Sequence, residues 1–482
     1  MASPAGGAPP KPISAAPLAG AASGGVAPWP TLVVVAAGLF LAVLSTTAVS
    51  VALPSIGHDL GATATDLEWT VDAYVLVYAS LLVPGGVAGD RRGRKSAFIL
   101  GVALFGLGSL AAGLAPATGL LLAGRVVQGT GPALLVPASL AIIRATFTDD
   151  RQRAMAIGLW STSSGIAMAV GPAVGGVIVG TLGWRWVLLL NVPLTAALVA
   201  LAARVVPRLP RPGTRGPFDW PGAAASVAGV GLLAFAVIEG QDRGWTSALV
   251  VVPFVAGVGA GVAFVLAERS RAEPLVDVSL FLRPTFAVAN LAALTVFFAF
   301  VGAIVYFSAY FQQVQGRSPV AAGLAVCAIG VAYAIAAAWS GRLVGRFGER
   351  WLSPATGIGA IWWNFALLGA GIGLCGTPMT TLALSAVDVS RAGMASAVLN
   401  ATRQIGQVFG VAVLGALVYA HLPGGAGRPL DAAHRQLFVA GLHNALLLSG
   451  AVLIATALVI SAPLIRSRAA RPPHGLKSPP TA

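Results

Sequence analysis

The sequence predicts an all-α polytopic membrane protein, and three observations lead to this fold class. Of its 482 residues, 57% are apolar and 10% are charged, whereas a soluble domain carries about a quarter charged residues. The mean hydropathy is +0.84. The apolar residues form thirteen long runs, and a helix needs roughly 20 such residues to cross the hydrocarbon core. The composition excludes an ordinary soluble enzyme, a disordered protein and a fibrous one.

The predicted spans follow one another along the chain. They cover about 31–54, 70–89, 96–115, 118–143, 154–181, 184–204, 220–240, 247–267, 285–311, 320–344, 365–387, 396–420 and 441–465. A fourteenth candidate, 352–363, would form a helix of only about 18 Å. Residues 1–30 are rich in Ala, Gly, Pro and Ser, and we interpret them as a disordered tail and not as a signal peptide. Residues 466–482 form a second, basic tail.

The positive charges predict the orientation. The net charge is +14, and Lys and Arg cluster in alternate loops between apolar runs. Because short cytoplasmic loops carry an excess of Lys and Arg, we expect these loops and both termini to be cytoplasmic. An inside C-terminus requires an even number of crossings. The positive residues form no single basic face, so no nucleic-acid partner is expected.

A weak internal repeat predicts two related halves. Gly86, Arg91 and Gly93 recur as Gly341, Arg346 and Gly348 at a constant offset of 255. Two related helical bundles with a substrate site between them are the build of many secondary transporters. The predicted organisation is an N-terminal six-helix bundle at 31–205, linkers with two inserted helices at 206–284, and a C-terminal bundle at 285–465 with a shortened helix at 352–363.

Four motifs occur in order along the chain. They are Gly86-x-x-x-Asp90-Arg91-x-Gly93-Arg94-Lys95; Arg125-x-x-Gln128-Gly129; Gly165 with Gly171, Pro172, Gly175 and Gly176; and Trp184-Arg185-Trp186…Asn191 together with Glu239-Gly240…Gly244-Trp245. Over about residues 31–465 the chain resembles the 14-span drug:proton antiporters of the major facilitator superfamily. The resemblance implies proton-coupled efflux of hydrophobic drugs, antiseptics or antibiotics across the bacterial inner membrane by alternating access.

The first motif predicts a gate on the cytoplasmic side. Glycines permit a tight turn and close approach of helices. Asp90 lies at a membrane boundary, where its carboxylate can accept hydrogen bonds from the N-terminus of another helix. The resemblance implies that this helix begins near 393–396. The predicted gate residues are Gly86, Asp90, Arg91, Gly93 and Arg94. Alternatively, the cations here only set the topology.

The third motif predicts a bent, closely packed helix. Small residues let helices approach in lipid, and a proline bends a helix. The resemblance makes Gly165, Gly171, Pro172, Gly175 and Gly176 the hinge and seal between the two halves. Plain close packing is compatible with that role.

Ionisable residues inside a span are costly and point to function. Asp72 lies early in the second span, and we identify Arg125 as the only basic residue well inside a span. Their helices belong to one bundle, so the two residues are the predicted proton-coupling pair. Alternatively, Asp72 is an interfacial carboxylate and Arg125 only stabilises the bundle. Glu239 and Asp388 lie near loop ends and are interpreted as interfacial.

The sequence departs from the family in the first span. Ser45 stands where the related antiporters usually have an aspartate, and a serine can neither carry a proton nor pair with a cationic drug. Asp72 is then the main acidic candidate. The predicted cavity is apolar and aromatic, and its candidate lining residues are Ser45, Tyr74, Tyr78, Gln128, Phe298, Tyr306 and Tyr310.

Two further hypotheses stay open. An uptake symporter could share this fold, and a transport-inactive membrane scaffold or sensor would explain the short run 352–363 and the missing acid at Ser45. An enzyme is not expected, because the sequence shows neither a nucleophile–base pair nor a metal-ligand cluster. We expect a monomer without metal or cofactor whose partners are small hydrophobic substrates, protons and the lipid bilayer.

Overall fold

The computed structural model describes residues 28–62, 64–209, 218–271, 274–310, 314, 361–419 and 432–469. All regular secondary structure in these ranges is helical. The helices are α1 (Pro28–Leu60), α2 (Ala64–Arg92), α3 (Arg94–Gly113), α4 (Thr118–Thr146), α5 (Asp150–Leu182), α6 (Arg185–Leu189), α7 (Asn191–Val205), α8 (Trp220–Arg243), α9 (Ala248–Ser270), α10 (Pro284–Ala309), α11 (Ile361–Ser385), α12 (Ala392–Tyr419) and α13 (Ala432–Ala469). Two short 3₁₀ helices cover Val278–Leu282 and Val389–Arg391.

The described helices overlap the predicted spans, except that the predicted span 184–204 is divided into the two helices α6 and α7. The described residues contain nine segments long and apolar enough to cross a membrane, one of them formed by α6 and α7 together, or ten when the bent α5 is counted as one span. The predicted span 320–344, the second repeat copy at 341–350 and most of 352–363 lie outside the described residues. The predicted short helix is wrong at its end, because residues 361–363 form the first turn of α11, the helix of the next predicted span.

Both predicted tail boundaries differ from the structure by a few residues. Helix α1 already begins at Pro28, because a proline fits the first turn of a helix, where its missing N–H leaves no bond unmade. Helix α13 continues to Ala469, beyond the predicted start of the tail at Arg466. Long basic side chains can reach the membrane interface while the helical backbone continues.

Local sequence signals set several helix ends. Gly93 separates α2 from α3 with a φ of 113°, a left-handed conformation that favours glycine. Asp149 caps α5 by accepting the N–H of Gln152 at 2.9 Å. Asp219 caps α8 in the same way, accepting the N–H of Gly222 at 2.8 Å.

Small residues bring neighbouring helices into close contact. Helices α3 and α4 pack together, and a Cβ added at Gly108 would lie 2.3 Å from the backbone nitrogen of Gln128. We refer to α1–α7 as the N-terminal bundle and to α10–α13 as the C-terminal bundle. In the C-terminal bundle α10 packs on α12, and a Cβ at Gly410 would lie 2.1 Å from the carbonyl oxygen of Phe298. Such close approach is how helices associate in lipid, where the hydrophobic effect between helices is weak.

Helices α8 and α9, the pair that follows the N-terminal bundle, pack against each other, and α8 also contacts α2 and α12. The indole N–H of Trp69 on α2 donates to Glu239 on α8 at 3.1 Å. Glu239 also pairs with Arg243. Helix α8 therefore lies where the N-terminal and C-terminal bundles meet at one side. We call the end of the molecule at which α2 ends and α3 begins the Arg-rich end.

Candidate functional site: an inter-bundle lock and two buried arginines

At the Arg-rich end, the carboxylate of Asp90 connects the two bundles. Its Oδ2 accepts the backbone N–H of Met394, in the first turn of α12, at 2.9 Å. Its Oδ1 accepts the Nε–H of Arg94 at 3.0 Å. Asp90 is only 7% exposed. The carboxylate is therefore a buried cap on α12, where the free N–H groups of the helix end favour a negative charge. This is the helix start that the family resemblance implies.

Two glycines allow this close approach. A Cβ on Gly86 would lie 2.4 Å from the Cβ of Ala397 and 2.8 Å from the carbonyl oxygen of Gly393. A Cβ on Gly393 would lie 2.5 Å from the Asp90 carboxylate. Any larger residue at either position would push α2 away from α12. The spacing of the motif thus has a direct steric explanation.

Three arginines, of which Arg94 is buried, add further bonds to the same segment of the C-terminal bundle. Arg94 donates from Nη2 to the carbonyl of Val389, and Arg144 donates to the carbonyl of Val387. Arg283, from the C-terminal bundle itself, donates to the carbonyl of Ala386 at 2.6 Å. We call the set Gly86, Asp90, Arg94, Arg144, Gly393 and Met394 the lock.

The remaining cations of the motif have other roles. Arg91 lies 5.6 Å from the ring centroid of Phe218, which precedes α8. Arg92 is exposed. Lys95 donates to the carbonyls of Ala203 and Val206 at 2.7 Å and 2.6 Å, which caps the end of α7. The basic residues of this motif are therefore not equivalent, and Arg94 is the one whose charge contacts Asp90.

Arg125 lies in a buried polar network inside the N-terminal bundle. The residue is fully buried, and its Nε donates to the carbonyl of Thr70 at 2.7 Å. Its Nη1 donates to Gln128 Oε1 at 2.6 Å. Gln128 Nε2 in turn donates to Ser45 at 3.1 Å and to Ser109 at 2.6 Å. The network links four helices, and Ser45 ends one of its branches.

The neighbours of Arg125 on α2 include an aromatic ring and an acid. The guanidinium carbon lies 4.4 Å from the ring centroid of Tyr74, whose hydroxyl donates to the carbonyl of Ala42 at 3.1 Å. Tyr78 is half-buried one turn later, with its ring centroid 6.3 Å from that of Tyr74. Asp72 is half-buried and interacts electrostatically with Arg125. Asp72 thus lies within electrostatic range of Arg125, whose hydrogen-bond acceptors are Thr70 and Gln128.

A second buried arginine contradicts the identification of Arg125 as the only basic residue well inside a span. Arg403 on α12 is 8% exposed and donates to Thr380 Oγ1 at 2.6 Å and to Asn400 Oδ1 at 3.3 Å. Its guanidinium lies 5.4 Å from the ring centroid of Phe297. The signal was present in the sequence, because Arg403 is the one cation in the apolar run 396–420.

The third motif bends α5 and packs it on α1. The segments 150–168 and 173–182 differ in direction by 46°, and the break includes Gly171 and Pro172. A Cβ on Gly171 would lie 1.9 Å from Thr47 Oγ1, and one on Gly175 would lie 2.8 Å from the carbonyl oxygen of Ala48. The glycine contacts are therefore made within the N-terminal bundle. Gly165 is buried and Gly176 half-buried, and α5 also contacts α11 of the C-terminal bundle.

We expect Gly171→Ala to lower the thermal stability of the purified protein by the equivalent of about 1–3 kcal/mol, because the added methyl group overpacks the contact with Thr47. The matched control is Gly180→Ala in the same helix, where a Cβ would meet nothing within 4 Å. That control should unfold at the same temperature as the unmodified chain or slightly above it, because alanine favours helices. Equal melting temperatures for both variants would contradict the close contact.

Three predicted cavity residues lie on or beside α10. Tyr306 is 3% exposed, and its hydroxyl donates to the carbonyl of Val411. It packs among Leu414, Val418 and Phe438, in the core between α10, α12 and α13. Phe298 and Tyr310 are half-buried around this core. These aromatic side chains therefore contribute to the packing of the C-terminal bundle.

The end opposite the lock carries a partly exposed ion pair. Asp59, after the membrane-spanning part of α1, accepts the indole N–H of Trp184 at 2.9 Å and pairs with Arg185. The hydrogen bond from Trp184 and then that from Arg185 hold the pKa of Asp59 below its usual value. This acid therefore stays ionised at neutral pH. Among the described residues, no group of three or more His, Cys, Asp or Glu side chains could hold a metal ion.

Comparisons with known sequences place the chain among membrane transporters. The profile of the Major Facilitator Superfamily matches residues 35–411. The multidrug resistance protein Stp of Mycobacterium tuberculosis is 35% identical over 410 residues, which are 81% of this chain and 76% of Stp. The methylenomycin A resistance protein of Bacillus subtilis is 33% identical, covering 80% of this chain and 87% of the relative. The cephamycin export protein CmcT of Amycolatopsis lactamdurans is 36% identical, covering 80% and 83%.

Solved structures share the fold. The human organic anion transporter MFSD10 superposes with a TM-score of 0.63 at 16% identity, covering 90% of this chain and 99% of that one. The proton:xylose symporter XylE gives a TM-score of 0.60 at 14% identity, covering 90% and 95%. At these identities the likeness concerns the fold alone.

Proposed function

The chain belongs to the Major Facilitator Superfamily, and from this premise we propose that it exports hydrophobic small molecules across the bacterial inner membrane in exchange for protons. The direction and the substrate class are supported by relatives at 33–36% identity whose names describe multidrug resistance, antibiotic resistance or antibiotic export. Transport by this chain would take the form of alternating access between its two bundles.

The lock is the single observation that carries this proposal. Asp90, buried and shared between Arg94 and the start of α12, holds the Arg-rich end shut by bonds that a separation of the bundles would break. A contact made of a few directional bonds and two glycine surfaces suits a gate, since it can form and break as a unit. In our proposal the lock is the cytoplasmic gate and the structure is the state closed to the cytoplasm.

The proposed orientation follows from the charges. Because Lys and Arg are enriched in cytoplasmic loops, the Arg-rich end and both termini would face the cytoplasm. The 14-span plan, including a crossing by the region outside the described residues, belongs to the same proposal. Termini on the same side of the membrane require an even number of spans.

Proton coupling would involve Asp72 and the arginine network. A proton-driven carrier needs a group that binds a proton when it faces one side and releases it when it faces the other. Asp72 is half-buried on α2 and interacts with the buried cation of Arg125, whose other partners are neutral. Protonation of Asp72 would weaken its attraction to Arg125 and so change the contact between α2 and α4. Substrate binding and protonation of Asp72 would then favour different arrangements of α2 and α4, so that each would oppose the other.

The experiment uses energised inverted membrane vesicles and a panel of fluorescent hydrophobic dyes. An exporter accumulates dye in such vesicles, and an uncoupler abolishes the accumulation. We expect Asp72→Asn to abolish uncoupler-sensitive accumulation at equal expression. The matched control is Asp150→Asn, since the side chain of Asp150 is 85% exposed; this variant should transport like the unmodified chain.

Each alternative predicts another result. An uptake symporter of the same fold would accumulate dye in right-side-out vesicles instead. A scaffold or sensor would accumulate dye in neither orientation. Uphill, uncoupler-sensitive transport by Asp72→Asn would keep the efflux proposal and transfer proton coupling to another acid, with Glu239 or Asp388 as the next candidates.

A further inference from the structure

Two buried carboxylates face each other at the Arg-rich end of the α8–α9 pair, outside the lock. Asp219 caps α8 and is 6% exposed, and Glu268 lies near the end of α9 and is 2% exposed. Asp219 Oδ1 accepts the N–H of Gly222 at 2.8 Å and pairs with Arg271. Glu268 Oε2 accepts the N–H of Val276 at 3.0 Å. One oxygen of each carboxylate thus has a hydrogen-bond partner.

The other oxygen of each carboxylate is buried and has no hydrogen-bond partner among the described residues. These atoms are Asp219 Oδ2 and Glu268 Oε1. A Cβ built on Gly222 would lie 2.2 Å from the first and 2.6 Å from the second. Both oxygens therefore point at the same small space, which the missing side chain of Gly222 leaves open.

Two ionised carboxylates in this arrangement would be unfavourable. Buried oxygens without a donor lose their hydration, and like charges at close range repel each other. A single proton between the two oxygens removes one charge and supplies the missing hydrogen bond. We propose that Asp219 and Glu268 form a proton-binding site in which one proton is shared between Oδ2 and Oε1.

The charged groups around the site fit one bound proton. Arg271 is the cation in direct contact, and it neutralises the single negative charge that remains. Arg91 of α2 lies over the ring of Phe218, the residue before Asp219. Asp277, from the segment after α9, pairs with Arg391. With one proton the pair carries one negative charge opposite Arg271; without the proton it carries two.

The site also holds the segment that leads to the lock. Glu268 binds the N–H of Val276, and the next residue, Asp277, pairs with Arg391 at 3.0 Å. Arg391 lies one residue before α12, whose first turn carries Met394 and its bond to Asp90. Loss of the shared proton would draw Glu268 away from Asp219 and loosen Val276. A change of pH at this end of the protein would therefore alter the lock through the segment that contains Val276 and Asp277.

The test is infrared spectroscopy on the purified full chain, in detergent and without substrate, so that it does not depend on transport. A protonated carboxylic acid gives a C=O stretching band that a carboxylate lacks. We expect such a band at neutral pH and its loss in Glu268→Gln, because the amide replaces the protonated acid. Asp219→Asn should remove the same band. Asp150→Asn, at an exposed acid, should leave it unchanged.

Thermal unfolding provides the second readout. With a shared proton the folded chain binds one proton more than the unfolded chain near neutral pH, where unfolded carboxylates are ionised. Its stability should therefore fall as the pH rises from about 6 to 9, and this slope should be smaller in Glu268→Gln. A neutral-pH spectrum identical in the unmodified chain, Glu268→Gln and Asp219→Asn, together with equal pH slopes, would overturn the proposal. A folded Glu268→Gln chain that transports normally while the band is lost supports the site and leaves the efflux proposal intact.

Discussion

Gly86→Ala is expected to shift the lock about ten-fold toward its open form while the protein stays folded. The new methyl group would lie 2.4 Å from the Cβ of Ala397 and 2.8 Å from the carbonyl oxygen of Gly393. Neither of these atoms can rotate away, so α2 and α12 must separate. Overpacking of this kind costs about 1–3 kcal/mol, and about 1.4 kcal/mol corresponds to a factor of ten in a two-state equilibrium. Only the closed state bears this cost.

The measurement is the rate at which a thiol reagent modifies a cysteine placed at Ser396, a buried position in the first turns of α12. We expect modification in the Gly86→Ala background to be about ten-fold faster. Gly259→Ala is the matched control, because a Cβ at this position of α9 would meet nothing within 4 Å. Equal rates in the three backgrounds would show that the approach of α2 to α12 does not limit opening.

Arg125→Lys is expected to abolish transport although it keeps the positive charge. The planar guanidinium binds Thr70 and Gln128 at once and stacks on Tyr74, and an ammonium group cannot reproduce this arrangement. Each hydrogen bond to a charged group contributes about 1.5–3 kcal/mol, and a buried acceptor left without a donor costs about as much. Gln128 would then lose the partner that orients its amide toward Ser45 and Ser109.

Dye accumulation in inverted vesicles measures this effect, with expression and thermal stability determined in parallel. Arg92→Lys is the control, since Arg92 is exposed at the end of α2; it should transport normally. Arg125→Ala tests the same network more severely, and we expect it to unfold at a lower temperature, because it removes the buried hydrogen bonds to Thr70 and Gln128. Normal transport by Arg125→Lys would show that the network stabilises the fold but is not needed for transport.

Hydrophobicity and motif spacing predicted most of the fold. Apolar runs of about 20 residues indicate membrane-spanning helices, in which the backbone polar groups are bonded within the same segment. The chemistry of a carboxylate at a membrane boundary suggested that Asp90 could bind the N-terminus of another helix, but only the family resemblance implied that this helix is the one beginning near 393–396.

Other features could not be predicted from one sequence. The glycine pattern of α5 shows that some helix approaches closely, but the pattern does not specify which one, and in the structure it is α1. The buried aromatic Tyr306 could not be distinguished from a cavity residue, because cavity and core positions both favour aromatic side chains. The bonds of Arg94 and Arg144 to the segment before α12 depend on long-range contacts between the bundles.

The lock as a gate that opens and closes is the central claim, and a distance measurement tests it most directly. Spin labels would be attached to cysteines at Arg92 and Asp388, two exposed positions on opposite sides of the lock, with Cys327 and Cys375 replaced by alanine. Pulsed dipolar spectroscopy then gives the distribution of distances between the labels. We predict a short and a long population, with the long one increased by Asp90→Asn, which weakens the bonds to Arg94 and Met394. One distribution, identical with and without Asp90→Asn, would contradict the account.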